Sequence, residues 1–327
     1  MTVAERLSLT EKIAKLKRER NALILAHNYQ LGEVQDVADY VGDSLELSQT
    51  AARSTAEVIV FCGVKFMAET AAILCPERVV LLPDMNSGCL LADMITAEQL
   101  GQKKKELPQA TVVCYVNSPA EVKAQADICC TSANAVQVVE GVHSDGILFV
   151  PDQYLGHYVS TKTDKHITLW PGYCPTHTRI KREDILRLKS EYPEARVVVH
   201  PECRPEVLAV ADEVFGTGGM VRYARRDDVR ELIVGTEIGM IHRLRKENPD
   251  KRFIPVSEQA ICPDMKLITL EKVVQALEEM QPQVKVPEGI RARAKSSLGR
   301  MLSVAGGERN DDVETKELSA LRWRYVH

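Results

Sequence analysis

The sequence predicts an α/β protein built of three parallel-sheet units of βαβ type, related by a pseudo-threefold repeat. Three observations carry that expectation. Strand-like apolar runs alternate with stretches of helical period along most of the chain, the pattern of βαβ units. A spaced set of residues recurs three times. Each copy closes on a strand-like run, a turn and a cysteine, in VVLLPDMNSGC (79–89), HITLWPGYC (166–174) and RFIPVSEQAIC (252–262).

The strand-like runs are 22–26, 58–62, 79–82, 111–115, 146–150, 166–170, 196–200, 231–234 and 252–256. Between the first two, 33–41 reads as a helix, with Val34, Val37 and Val41 on one face. Ser118-Pro119 and Arg204-Pro205 place proline at helix starts. Near the N-terminus, 9–20 mixes Lys, Arg and Glu in a helical pattern, which predicts a surface helix and no secretion signal.

The repeat is counted from three strand ends, His27, Tyr115 and His200. Six and seven residues on stand Glu33-Val34, Glu121-Val122 and Glu206-Val207. Eleven and twelve on stand Ala38-Asp39, Ala126-Asp127 and Ala211-Asp212. Seventeen on stand Ser44, Ser132 and Thr217. Cys89, Cys174 and Cys262 follow at 62, 59 and 62 residues. Units of 1–105, 106–190 and 191–305 follow, with part of the first able to return to another unit and 306–327 as a tail.

Composition narrows the function. The 327 residues are 45% hydrophobic and 27% charged, with a net charge of −4. That balance offers no basic surface for nucleic acid, and no apolar run is long enough to cross a bilayer. A cytoplasmic protein is expected. Nine cysteines without a secretion signal point to buried thiols or metal ligands rather than disulfides. No CxxC or zinc-finger spacing is present, and adjacent Cys129-Cys130 is sterically poor for one ion, so a metal site must be assembled from distant segments.

Ligands of open α/β sheets bind beyond the carboxyl ends of the strands. The first and third positions of each unit, His27 and Tyr29, Tyr115 and Asn117, His200 and Glu202, are therefore expected to face one pocket, on the same side of an extended chain. Ser44, Ser132 and Thr217 lie near βα junctions, where a hydroxyl and backbone N–H groups suit a carboxylate or phosphate. Each is equally an ordinary helix cap. Cys89, Cys174 and Cys262 complete the ring. Three thiolates fit zinc with His177 as fourth ligand, or a [4Fe–4S] cluster with one iron left open. Cys62, Cys75, Cys114, Cys129, Cys130 and Cys203 read as buried small hydrophobes.

The motifs AHNYQ (26–30), GDSLELS (42–48), FCGVKFMAETA (61–71), PDMNSGC (83–89), YVNS (115–118), FVPDQYLG (149–156), WPGYCPTH (170–177), VHPEC (199–203) and Thr236-Glu237 resemble the quinolinate synthase family over about 22–305. The resemblance implies three α/β domains around a central [4Fe–4S] cluster. The implied reaction joins iminoaspartate and dihydroxyacetone phosphate into quinolinate, with loss of phosphate and two waters, in de novo NAD synthesis. It further implies a functional link to the enzyme that makes iminoaspartate, and no nucleic-acid or membrane partner. By resemblance Cys89, Cys174 and Cys262 hold the cluster. His27, Ser44, Tyr115, Asn117, Ser132, His177, His200, Glu202 and Thr217 bind substrate, Phe66 and Met67 form a wall, and Tyr29 and Glu202 move protons with His200 assisting. Gly216-Thr217 departs from the family's usual Ser-Thr, removing one hydroxyl. Two other readings stand beside this one. A three-cysteine reductase of allylic diphosphates would need motifs absent here, and a metal-stabilised binding protein would need no polar ring.

Overall fold

A computed structural model describes residues 2–144 and 146–305. The 306–327 tail lies outside the described residues. Three four-stranded sheets organise the rest. The first holds β1 (Ala22–His27), β2 (Tyr40–Gly42), β3 (Val58–Cys62) and β4 (Val79–Leu81). The second holds β5 (Thr111–Tyr115), β6 (Ile128–Cys130), β7 (Gly146–Val150) and β8 (His166–Leu169). The third holds β9 (Arg196–Val199), β10 (Glu213–Val214), β11 (Glu231–Gly235) and β12 (Arg252–Pro255).

All pairings within them are parallel. Each sheet has the same order, with its second strand outermost, then its first, third and fourth. Strands covered by helices on both faces carry continuous apolar runs rather than alternation, and all five residues of β3 are buried. The nine strand-like runs read from the sequence match observed strands to within one residue at each end. The α/β, three-sheet expectation is met.

The repeat has a mechanical meaning. Asp39 Oδ2 accepts a hydrogen bond from Ile24 N at 2.8 Å, Asp127 Oδ2 from Val112 N at 2.8 Å, and Asp212 Oδ2 from Val197 N at 2.7 Å. The backbone N–H of each aspartate donates back to the same residue's carbonyl. Each pair sets the chain alongside the first strand of its sheet, and β2, β6 and β10 follow at once. Five residues earlier in each copy, Val34, Val122 and Val207 are fully buried on the short helices Gly32–Val37, Ala120–Lys123 and Pro205–Leu208.

This geometry corrects one expectation. The helix read over 33–41 stops at Val37, because Ala38 turns extended (φ −72°, ψ 146°) and Asp39 clamps to β1. Val41 instead pairs with Ala26 in β2.

The N-terminal helix Val3–Glu19 starts with a Thr2/Glu5 capping box and buries Ile13 and Leu16. It packs on helix Leu270–Glu279, which also meets β3. Helix Glu288–Ala305 crosses to the second sheet, lying on β6 and on helix Ala120–Lys123. There Ser297 Oγ donates to Lys123 O at 2.8 Å. These two helices, the last among the described residues, thus bind the first two sheets together. Among the described residues, no helix is long and apolar enough to cross a membrane.

Candidate active site

The loops that follow β4, β8 and β12 carry Cys89, Cys174 and Cys262, and one backbone contact places all three. Lys65 N donates to Ser87 O at 2.7 Å, Gln153 N to Gly172 O at 2.8 Å, and Ile238 N to Ala260 O at 3.0 Å. Each acceptor stands two residues before its cysteine. Gly172 is required at its position, because a Cβ there would lie 2.4 Å from Pro151 O.

Cys89, Cys174 and Cys262 line one cavity beyond the carboxyl ends of the strands. With them lie His27, Tyr29, Ser44, Phe66, Met67, Tyr115, Asn117, Ser132, His177, His200, Glu202 and Thr217. Every candidate site residue read from the sequence is therefore brought to one place. Burial, foremost, raises the thiols of Cys89 and Cys174, and that of Cys262 to about 11. Cys89 also repels charge on Cys262, and Cys174 feels Cys89 and Glu202. Left alone, the three stay protonated thiols; as thiolates they would coexist only beside a metal's positive charge.

A hydrogen-bonded chain runs beside the thiols. His177 Nδ1 lies 2.7 Å from Glu202 Oε2 and 3.2 Å from Cys174 Sγ. Its Nε2 lies 2.9 Å from Thr236 Oγ1, which lies 2.6 Å from Tyr29 Oη. In the neutral tautomer with Nδ1–H donating to the carboxylate, Nε2 accepts from the Thr236 hydroxyl, which in turn accepts from Tyr29 Oη. The His200 ring stacks on His177 at 4.5 Å.

Charge follows from this packing. Burial alone would raise the Glu202 carboxyl, but His177 and His200 outweigh it and hold it down to about 2. His27 and His200 are pushed down to about 3, by burial above all, with the Glu202 charge opposing the shift in both. Burial and the nearby Glu202 charge keep the Tyr29 and Tyr115 hydroxyls protonated. Near neutral pH the pocket presents an anionic Glu202, neutral imidazoles at 27 and 200, and phenol donors.

Two buried polar atoms have no hydrogen-bond partner of good geometry here, Glu202 Oε1 and Asn117 Oδ1, although the Tyr115 hydroxyl reaches the Glu202 carboxylate loosely. Orphaned atoms of this kind call for a ligand. At the far wall, Asn28 Nδ2 donates to Thr217 Oγ1 at 2.8 Å, and Arg243 holds Asn28 Oδ1 at 2.8 Å. Gly216 lies against Ser132, since a Cβ there would meet Ser132 Oγ at 2.8 Å. The missing side chain at 216 thus lets the backbone there approach Ser132. Ser44 opens helix Ser44–Arg53, capped by Asp43.

Sequence reasoning assigned no role to Thr236, Glu237 or Asp152. Glu237 is fully buried and lines the cavity. Asp152, also fully buried, caps helix Gln153–Ser160. Thr236 and Glu237 were visible only as a dipeptide motif, and Asp152 as part of another. Their position two residues or fewer past a third strand was the signal that could have found them.

Comparison with known proteins follows the same lines. A family model described as NadA, quinolinate synthetase A protein, matches residues 11–303. A quinolinate synthase of Dehalococcoides mccartyi (strain CBDB1) is 65% identical over 296 residues, covering 90% of this chain and 98% of the relative. One from Methanosarcina barkeri (strain Fusaro / DSM 804) is 54% identical over 300 residues, covering 92% and 99%. One from Thermodesulfovibrio yellowstonii (strain ATCC 51303 / DSM 11347 / YP87) is 54% identical over 295 residues, covering 90% and 97%.

Proposed function

The chain belongs to the quinolinate synthase family, an enzyme family of NAD biosynthesis, and from that premise we propose that it condenses iminoaspartate with dihydroxyacetone phosphate to quinolinate. Phosphate and two waters leave. Family membership implies an iron–sulfur cofactor. We take it to be a [4Fe–4S] cluster held by Cys89, Cys174 and Cys262, with one iron free of protein ligands. The observation that carries the reading is three cysteines, one from the end of each sheet, lining one cavity with a ring of polar side chains and two orphaned polar atoms. The donor set fits the group, since all three cysteines are free thiols and thiolates are the usual ligands of such clusters.

When bound, the cluster supplies a Lewis-acidic iron able to take a substrate oxygen and ease the departure of hydroxide. The protein does the rest. Glu202 offers its unpartnered Oε1 to a substrate C–H or O–H, while His177 holds Oε2. A carboxylate held down to about 2 is a weak base, but a carboxylated substrate beside it raises its proton affinity by like-charge repulsion. Glu202 therefore becomes basic when substrate arrives. Tyr29, linked through Thr236 to His177, donates and recovers a proton, and His200 supports the same transfers. His27, Ser44, Ser132 and Thr217 bind carboxylate or phosphate oxygens. Tyr115 and Asn117 orient the intermediate, and Phe66 and Met67 exclude water.

A second reading comes from Cys174, His177 and Glu202, whose donor atoms lie within 4.8 Å of one another. One zinc could use that set. The 2.7 Å His177–Glu202 contact explains the grouping as a hydrogen bond, and the zinc reading leaves Cys89 and Cys262 without a task.

We further propose units at 1–105, 106–190 and 191–305, each holding one sheet, with helices Leu270–Glu279 and Glu288–Ala305 returning across the first two. Nine free thiols suit a reducing, cytoplasmic setting. Iminoaspartate would come from a partner enzyme that makes it. The test is an anaerobic assay of quinolinate formation from the two substrates. Turnover supports the reading, and its absence from cluster-loaded protein overturns it.

A further inference from the structure

We propose that the buried Glu237–Lys266 ion pair is a positioning device that locks the Cys262 loop to Tyr29, so that cluster retention and Tyr29 orientation depend on one carboxylate. The inference rests on the functional reading above, in which Cys262 is a cluster ligand and Tyr29 a proton donor.

The geometry is specific. Glu237 Oε1 accepts from Cys262 N at 3.1 Å and meets Lys266 Nζ at 2.9 Å, while Oε2 accepts from Gly239 N at 2.7 Å. Lys266 Nζ also donates to Tyr29 O. The knot has no slack at Gly239, where a Cβ would lie 2.7 Å from Tyr29 O and 2.8 Å from both Glu237 Oε2 and Lys266 Nζ. A carboxylate with no exposed surface is tolerated because its ammonium partner and two backbone donors satisfy it.

The threefold repeat shows what is special here. Val64, Asp152 and Glu237 each stand two residues past the third strand of their sheet. In the first unit Val64 offers nothing, and the loop is tied by Ser87 Oγ to Gly63 O and to Asp264 O. In the second, the Cys174 N–H reaches the Asp152 carboxyl only loosely, and Asp152 Oδ2 has no partner of good geometry. Of the three, Glu237 alone holds its cysteine's N–H in a well-formed hydrogen bond and, through Lys266, reaches the Tyr29 carbonyl beyond the first sheet's β1.

The test compares wild type, Cys262→Ala, Glu237→Gln, Lys266→Met and the double variant, all loaded and purified anaerobically. Iron per chain, the rate of iron release to a ferrous chelator, kcat, KM and Tm are measured. Both single variants are expected to release iron about 10-fold to 100-fold faster, the range for losing a group that orients a metal ligand. They should lower kcat more than they raise KM. The double variant should do no more than the stronger single one, because one unit is being broken. Iron release and kcat within about twofold of wild type in both variants would overturn the proposal, as would a lowered Tm with unchanged iron release. Should Glu237→Gln not fold, Lys266→Met carries the same test, its side chain being 20% exposed. Failure of the functional reading shows separately, as a wild type without a cluster or a Cys262→Ala variant that keeps a full one.

Discussion

His177 Nδ1 and Glu202 Oε2 lie 2.7 Å apart, with their side chains 2% and 3% exposed. One carboxylate oxygen is thereby committed to the protein, while Oε1 has no partner of good geometry. Glu202→Gln keeps the shape and removes the base. It is expected to retain the cluster and lose about two to four decades of turnover, the usual scale for a general acid–base group. Iron content and kcat measured together check this. Near-normal turnover would remove Glu202 from proton transfer.

The Thr236 hydroxyl bridges Tyr29 and His177, at 2.6 Å and 2.9 Å, beside their longer direct contact of 3.3 Å. Thr236→Val replaces it with a methyl and removes both short hydrogen bonds, leaving Tyr29 Oη and His177 Nε2 only their 3.3 Å contact, so stability should fall by about 1–3 kcal/mol. Misplacing Tyr29 should cost up to about 100-fold in kcat. Thr236→Ser, which keeps the hydroxyl, should recover most of both. Urea titration and steady-state kinetics on the three proteins test this, and a Val variant as active as wild type would contradict the relay.

His27 and His200, pushed down to about 3, bind protons in the unfolded chain before the folded one. Each therefore contributes stability that is present above about pH 6.5 and lost as pH falls toward 3, at about 1.4 kcal/mol per unit. Glu46, raised to about 7 by burial and by Asp43, acts in the opposite sense, its contribution being lost as pH rises from about 4.5 to 7. Comparing wild type with His200→Gln isolates one histidine. Between pH 6.5 and 4.5 the variant's stability, followed by urea unfolding of the metal-free chain, should fall by about 1.4 kcal/mol less per pH unit. Parallel profiles would show that His200 is not held neutral.

Asp127 accepts from Val112 N at 2.8 Å, and neither residue lines the cavity. Asp127→Ala should cost about 1–3 kcal/mol in urea unfolding through the lost hydrogen bond and the stranded strand-end N–H, with kcat within about twofold of wild type. A large loss of kcat at full stability would contradict its purely architectural role.

The long strands were legible because a sheet covered on both faces demands continuous apolar runs, as in VIVFC and ELIVG. β2, β6 and β10 were missed because they have only three, three and two residues, too few to show a period, whereas the equally short β4 lies in the continuous apolar run VVLL. Their positions were nonetheless marked by the repeated aspartates, whose meaning appears only when Asp39, Asp127 and Asp212 are seen bonded to the neighbouring strand. The thiols and the polar ring were legible through register, since equivalent positions in a repeat face one axis. Thr236, Glu237 and Lys266 were not, because their work lies in contacts across the pocket, such as Lys266 to Tyr29, between segments more than two hundred residues apart.

The central claim is that Cys89, Cys174 and Cys262 hold one iron–sulfur cluster. Its most direct measurement is iron and acid-labile sulfide per chain after anaerobic purification, for wild type and Cys174→Ala. The account predicts about four of each in wild type, and loss of the cluster with the fold retained in Cys174→Ala. A single zinc with no sulfide, or a full cluster in Cys174→Ala, would contradict it.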